Sequence, residues 1–522
     1  MRNRFLYVLL IAAVAVSTAC KKSFTDRPAL DQPTVDNYYN TADQVRGATG
    51  TLYGLAWFDF IDKAMDAIGE VRSGNEFTWD NQFASFRTFS TTSTDARLAE
   101  AWRSLYKVIG WSNVLIQTLE TKKKQGVTDK FIDAGIAEAR FIRGVAYFYI
   151  GRIWGDAPIV TNPAQMAETG DFRVPRYIQK DVLRFALDDF RFAEGQLPET
   201  DVKGRVTKYS AKGMMSKVYL YRKDYDSAKL KAGEVISSGK YALFNDYAGM
   251  FTSSANNNNS ETLFALQHAI TNEWGSQSSL QAYRAPGNLL ITGDGWSSII
   301  PSLDLLNAYE SGDLRRKWSV MEHGNVYPQW KPTRTGNTAF NNFMANGYRY
   351  DTVQPAPIGM KTPTRSNIAK YVVGPGSSTE PVQQMKTQIS TYILRYADVL
   401  LIYAEAVLAG GGSTSDASAL AAFNAVRNRA GLPSKSSITL NDILYERRVE
   451  FAFEGDYWYD ITRQGYARAK QIIEAQNRGW KNDDGTTTVQ NPTFNENQMF
   501  LPIPIGETAQ NPKLLEPAVA YY

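Results

Sequence analysis

The sequence predicts a mainly α protein, with tetratricopeptide-like helix pairs wound into a right-handed superhelical scaffold. One large loop-rich insertion, carrying short helices and small β-hairpins, interrupts it. Three observations carry this expectation. Apolar residues recur at spacings of three and four through most of the first 240 residues, as on amphipathic helices. From about 245 to 390 that period gives way to Gly, Pro, Ser, Thr and Asn, including the run ANNNN at 255–259. Helical spacing then resumes from about 391.

Residues 1–20 read MRNRFLYVLLIAAVAVSTAC. Arg2 and Arg4 precede an apolar run from Phe5 to Val16, and Ser17-Thr18-Ala19 lead into Cys20. This pattern is an export signal, too short for a membrane span. A cysteine directly after small residues looks like a lipobox, whose thiol is acylated and becomes the new N-terminus. Ser17 stands where leucine is usual, and a plain secretory signal with a stray cysteine is the alternative. The division expected is therefore a signal peptide over 1–19 and a lipidated, proline-punctuated tether over 20–35. Cys20 is the sole cysteine, so disulfides are excluded and the core must stabilise the fold unaided.

An N-terminal helical part is expected over 36–244. Its helices fall at about 41–61, 95–120 (Leu98, Trp102, Leu105 and Ile109 on one stripe), 131–154 and 177–193. Taking Tyr209 as the first position of a repeat puts Ser216, Tyr219, Tyr225 and Ala228 at the small and aromatic positions of a tetratricopeptide pair. Small residues there let two helices approach while the tyrosines fill the gap. The insertion occupies 245–390, and loops of that length are usually functional. A C-terminal part over 391–522 has helices at 392–408, 417–429 and 440–454, with a tail expected to pack back on the scaffold.

Composition narrows the function. The net charge of +4 has no basic run behind it beyond Lys122-Lys123-Lys124, so there is no electrostatic footprint for nucleic acid. Two histidines far apart, His268 and His323, argue against a Ser-His or Cys-His triad and a histidine-rich metal site. No cofactor and no catalytic metal are implied. Aromatic residues, by contrast, are abundant, with 29 Tyr, 25 Phe and 11 Trp.

The stretch ERRVEFAFEGDYWYDITR (446–463) sets Glu446, Glu450 and Glu454 in one i, i+4 column. Two carboxyls among aromatics are what a glycoside hydrolase needs, with one of them protonated near neutrality. Arg447 and Arg448 favour the ionised form of both Glu450 and Glu454, which opposes that use. Arg447 also falls on the apolar stripe and must be paired, with Glu450 and Glu454 one and two turns on. Gly455 suits a helix stop and Asp456 a cap for the next helix, which adds Asp460 and Arg463. The favoured reading is a self-neutralised structural network of Glu446, Arg447, Glu450, Glu454, Asp460 and Arg463.

Several blocks in order resemble the SusD/RagB family of outer-membrane nutrient-binding lipoproteins. They are CKKSFTDRPALDQPT, ARFIRGVAYFYIGRIWGDAPIV (139–160), GDGWSSIIPSLDLLNAYESGDLRR (293–316), NIAKY (367–371), YILRYADVLLIYAEA (392–406), VRNRAGLP (426–433), the 446–463 stretch and FLPIPIGETAQNP (500–512). The resemblance implies a tetratricopeptide-like fold, a lipid anchor at Cys20 in the outer membrane, and exposure at the cell surface. It also implies a partner, a TonB-dependent SusC-like transporter, and a glycan ligand, or a peptide in some members.

Those blocks are scaffold, so the ligand residues must be read from composition. Glycan capture without chemistry needs aromatic faces rimmed by polar groups. The loop EVRSGNEFTWDNQF offers Arg72, Asn75, Trp79 and Asn81, and the insertion offers Trp274, Tyr283 and Trp296. Trp102, Trp111, Trp154 and Trp458 fall on helical stripes or turns and are expected in the core.

Overall fold

Residues 38–127 and 130–522 are described by a computed structural model of the protein. The signal peptide, Cys20 and the tether over 20–35 lie outside them. The first helix, α1 (Ala42–Gly50), opens on a capping box between Thr41 and Gln44. It does not run on to 61. Gly54 turns to φ −147°, ψ −85°, because the backbone of Gln267 docks against it: a Cβ there would lie 2.6 Å from the Gln267 carbonyl oxygen. Short 3₁₀ turns follow, then two π-helical turns, Phe60–Ala64 and Ala67–Val71.

Regular helices take over at α2 (Ala96–Lys124), where the Asp95 carboxylate accepts from the Arg97 amide. Then come α3 (Lys130–Ile153), α4 (Gln179–Gln196), α5 (Lys208–Tyr221) and α6 (Tyr225–Ser237). Each packs on the next, the arrangement of a helical repeat. Ser216 and Ala228 are buried in the α5–α6 pair, with Tyr219 beside them. The C-terminal part adds α7 (Tyr396–Leu408), α8 (Ala417–Arg429), α9 (Leu440–Glu450) and α10 (Tyr457–Thr462), with α7 packed on α6. Trp102, Trp154 and Trp458 are core residues, and Trp111 is partly buried. The tail returns to α4: the Tyr521 amide donates to Asp181 at 2.8 Å, and its ring meets Tyr177 and Phe185 edge-on.

Helix α7 starts four residues later than its apolar spacing suggests. Thr391–Arg395 is instead a strand, antiparallel to Thr262–Leu266, which ties the two ends of the insertion together. Five more two-stranded ladders occur among the described residues: Glu76–Thr78 with Ile299–Pro301, Val320–Glu322 with Ser366–Ile368, Val326–Tyr327 with Tyr348–Arg349, Ser413–Thr414 with Ile438–Thr439, and Trp480–Lys481 with Thr487–Thr488. The insertion has its own apolar cluster around Tyr327 and Trp330, whose rings stack at 4.7 Å. Among the described residues no helix is long and apolar enough to cross a membrane.

Candidate ligand-binding site and the buried charge network

The ladder of Glu76–Thr78 with Ile299–Pro301 brings together two tryptophans that are distant in sequence. Thr78 pairs with Ile299, and its hydroxyl donates to the Ser298 carbonyl at 2.8 Å. One residue on, the Trp79 indole Nε1–H donates to the Ser297 carbonyl at 2.9 Å. That bond fixes the ring beside Trp296, whose own amide donates to the Ala282 carbonyl at 2.8 Å. The Trp296 ring meets Tyr283 edge-on at 5.1 Å, and Phe83 meets Tyr283 from elsewhere at 6.3 Å. Trp79 and Trp296 remain 56% and 40% exposed, while Tyr283, against the Trp296 ring, is buried. Two outward rings on a rigid base are a stacking platform. Polar groups rim it: Asn81 is exposed at the first turn after Trp79, and the Lys63 ammonium bonds Gln82 at 3.2 Å while lying 5.6 Å from the Tyr283 ring centroid. Lys63, Gln82 and Phe83 carry no sequence signal that sets them apart.

Arg72 and Asn75 do not reach this surface, contrary to expectation. The segment before Trp79 runs through the interior and carries both side chains there. Asn75 is fully buried, donating to Glu70 at 2.9 Å and accepting from Arg448 at 2.9 Å. Arg72 is 2% exposed, with its guanidinium against the rings of Phe89 and Trp458. Trp274 is exposed, packs edge-on against Phe58 at 5.8 Å, and has the Lys386 ammonium 5.8 Å from its centroid.

The 446–463 stretch forms a network of buried charges, but not with the pairing its spacing suggests. Helix α9 ends at Glu450, and Phe453 (φ 69°) and Gly455 (φ 82°) swing Glu454 off the helical column. Gly455 lies against Gly69, where a Cβ would come within 2.3 Å of the Gly455 carbonyl oxygen. Arg447 therefore turns away from Glu450 and Glu454. It donates to Asp460 and Asp398, each at 2.7 Å, and lies 3.5 Å from Asp456. The Asp456 carboxylate caps no helix but takes Lys217 at 2.7 Å and Arg152 at 3.0 Å. Arg463 bonds Asp460 and Glu405. Four cations (Arg152, Lys217, Arg447, Arg463) thus face four carboxylates (Asp398, Glu405, Asp456, Asp460).

On its other side Glu450 accepts from Arg315 (3.0 Å), Arg395 (3.0 Å) and Arg429 (2.5 Å). Glu446 accepts from Arg315 and Arg427, and Glu454 from Arg395 and Lys370. Burial works against the charge on Glu450, but Arg429, Arg395 and Arg315 outweigh it and hold the carboxyl well below the ordinary range. The space between Arg395, Glu454 and Asp398 is about 10 Å³, room for no sugar. A Glu450 carboxyl so held stays ionised and has no proton to donate near neutrality. No group of three or more His, Cys, Asp or Glu able to hold a metal occurs among the described residues.

Comparison with known proteins gives a consistent picture. Residues 250–521 match the SusD family, and residues 29–220 match a family described as starch-binding associating with outer membrane. A SusD-like protein of Bacteroides ovatus is 32% identical over 560 aligned residues, covering 98% of each chain. A crystal structure with a xylogluco-oligosaccharide superposes at TM-score 0.81 and 32% identity, covering 92% of this chain and 99% of that one. A laminarin-binding SusD-like protein shares the fold at TM-score 0.67 and 22% identity, over 90% of this chain and 97% of its own.

Proposed function

The chain belongs to the SusD/RagB family, and from that premise we propose that it is a non-catalytic, lipid-anchored glycan-binding protein of the cell surface. In this reading it captures oligo- or polysaccharide at the outer membrane and delivers it to a TonB-dependent SusC-like transporter. The observation that carries glycan capture is the pair Trp79, held by the Ser297 carbonyl, and Trp296, backed by Tyr283, two neighbouring rings left open to solvent. Apolar ring faces of sugars stack on such surfaces, while Asn81, Gln82 and Lys63 offer hydrogen bonds to hydroxyls. The relative with a xylogluco-oligosaccharide supports the ligand class. The absence of catalysis rests on Glu450 and Glu454, which are fully engaged by arginine and lysine in the interior.

Affinity electrophoresis against a panel of β-glucans, xyloglucans and starches tests the proposal, with reducing-sugar release measured alongside. The purified protein is expected to be retarded by at least one polysaccharide, to release no sugar, and to lose retardation in Trp79→Ala and Trp296→Ala. Hydrolysis that disappears in Glu450→Gln would overturn it.

A further inference from the structure

A cleft of about 660 Å³ lies apart from the tryptophan platform, lined by Arg72, Thr91, Trp154, Asp156, Arg176 and Phe500 among others. Its electrostatics are unusual for this protein. The buried arginines of the charge network, such as Arg315, Arg395 and Arg447, each face two or more carboxylates. Arg72 is equally buried, yet its Nη2–H donates only to the Gln498 carbonyl at 2.5 Å, and its Nε and Nη1 have no partner among the described residues. The rings of Phe89 and Trp458 both lie against the guanidinium, with centroids at 4.9 and 4.7 Å, and its unpartnered nitrogens are buried.

Two further donors along the same cleft are unpaired. Arg176 gives its Nη2–H to the Glu516 carbonyl at 2.6 Å, but its buried Nε has no acceptor, and neither has the buried Thr91 hydroxyl. Against these two guanidiniums stands one carboxylate, Asp156, whose Oδ1 already accepts from the Gln179 amide at 2.8 Å. Burial, and then the neighbouring Arg478, push the Arg72 guanidinium down to about 9, the mark of a cation without an anion. The rest of the wall mixes polar residues (Ser90, Asn497, Gln498) with apolar ones (Trp154, Phe500, Leu501). Phe500 is 39% exposed and lies across Gly155, which at φ 73° brings no side chain between ring and backbone.

We propose that this cleft is a second ligand site, which takes a uronic-acid sugar with its carboxylate toward Arg72 and Arg176 and its ring against Phe500. The volume falls within the ~300–1,000 Å³ of ordinary ligand pockets, and a carboxylate near a buried guanidinium interacts at low effective dielectric. The inference rests on the glycan-capture reading for its ligand class but uses none of the platform residues.

Isothermal titration of the full chain with glucuronate and a short oligogalacturonide tests it, with galactose, a neutral oligosaccharide and acetate as comparators at fixed ionic strength. Uronates are expected to bind at least about tenfold more tightly than any comparator. Arg72→Gln and Arg176→Gln should each weaken that binding about tenfold to a hundredfold, the range for a hydrogen bond to a charged group. Trp79→Ala and Trp296→Ala should leave it unchanged while losing neutral polysaccharide. Arg176 is half-buried, so its variant carries the test if Arg72→Gln does not fold. Uronates that bind no better than galactose or acetate overturn the proposal, as does uronate binding that survives Arg176→Gln or disappears with Trp79→Ala. Loss of neutral-glycan binding everywhere, with uronate binding intact, would refute the platform and spare the cleft.

Discussion

Replacing Glu450 by glutamine separates a structural carboxylate from a catalytic one. In the folded protein Glu450 accepts three hydrogen bonds, from Arg315, Arg395 and Arg429, and is completely buried. A glutamine must point its amide N–H at one of these guanidiniums, and it removes the charge that all three share. Breaking a buried ion pair from one side costs about 3–5 kcal/mol. Unfolding entropy of roughly 2 cal/mol/K per residue gives about 1 kcal/mol/K for a chain of this length. The melting temperature should therefore fall by about 3–5 °C. The pH dependence gives an independent check. Because the folded carboxyl is held below its ordinary 4.5, its contribution is complete above that pH and is lost as pH falls toward the folded value. The wild type should thus lose stability below pH 4.5, and Glu450→Gln should lose less of it. Calorimetry from pH 3 to 8 on both proteins measures the two effects. A variant that melts within about 1 °C of wild type, with an unchanged acid slope, would refute the assignment of Glu450 to the network.

Three other outcomes are expected. Burial raises the Glu70 carboxyl to about 7, so this group's contribution is full below pH 4.5 and declines by about 3 kcal/mol as pH rises to 7; Glu70→Gln should flatten the calorimetric slope in that window. Gly69→Ala should destabilise by more than about 2 kcal/mol, seen as a lowered denaturation midpoint, because its Cβ meets the Gly455 backbone rather than a side chain that can rotate away. Trp79→Phe keeps a stacking ring but loses the bond to the Ser297 carbonyl, so its glycan affinity should fall between wild type and Trp79→Ala in a titration.

Local pattern was enough for the long helices. The stripe of Leu98, Trp102, Leu105 and Ile109 placed α2, and the spacing around Ser216 and Ala228 placed the α5–α6 pair, because helix periodicity is a property of neighbouring residues. The strand Thr391–Arg395 was not legible, since its apolar residues suit either period and only Thr262–Leu266 makes it a strand. The break of the first helix at Gly54 was hidden for the same reason: the Gln267 backbone imposes it.

The site divides along the same line. Trp79, Tyr283 and Trp296 could be singled out as aromatic residues in polar loops, but their union depends on a ladder between residues 76–78 and 299–301. Arg72 and Asn75 sit in the same loop as Trp79 and looked equivalent to it, yet the path of the backbone sends them inward. By itself the sequence determined the helical scaffold, the stock of aromatic rings and the dense charge of 446–463, five carboxylates against three arginines. Only the tertiary structure decided which charges meet and which rings face outward, because partners such as Arg315 and Arg395 reach Glu450 from elements that no local pattern connects.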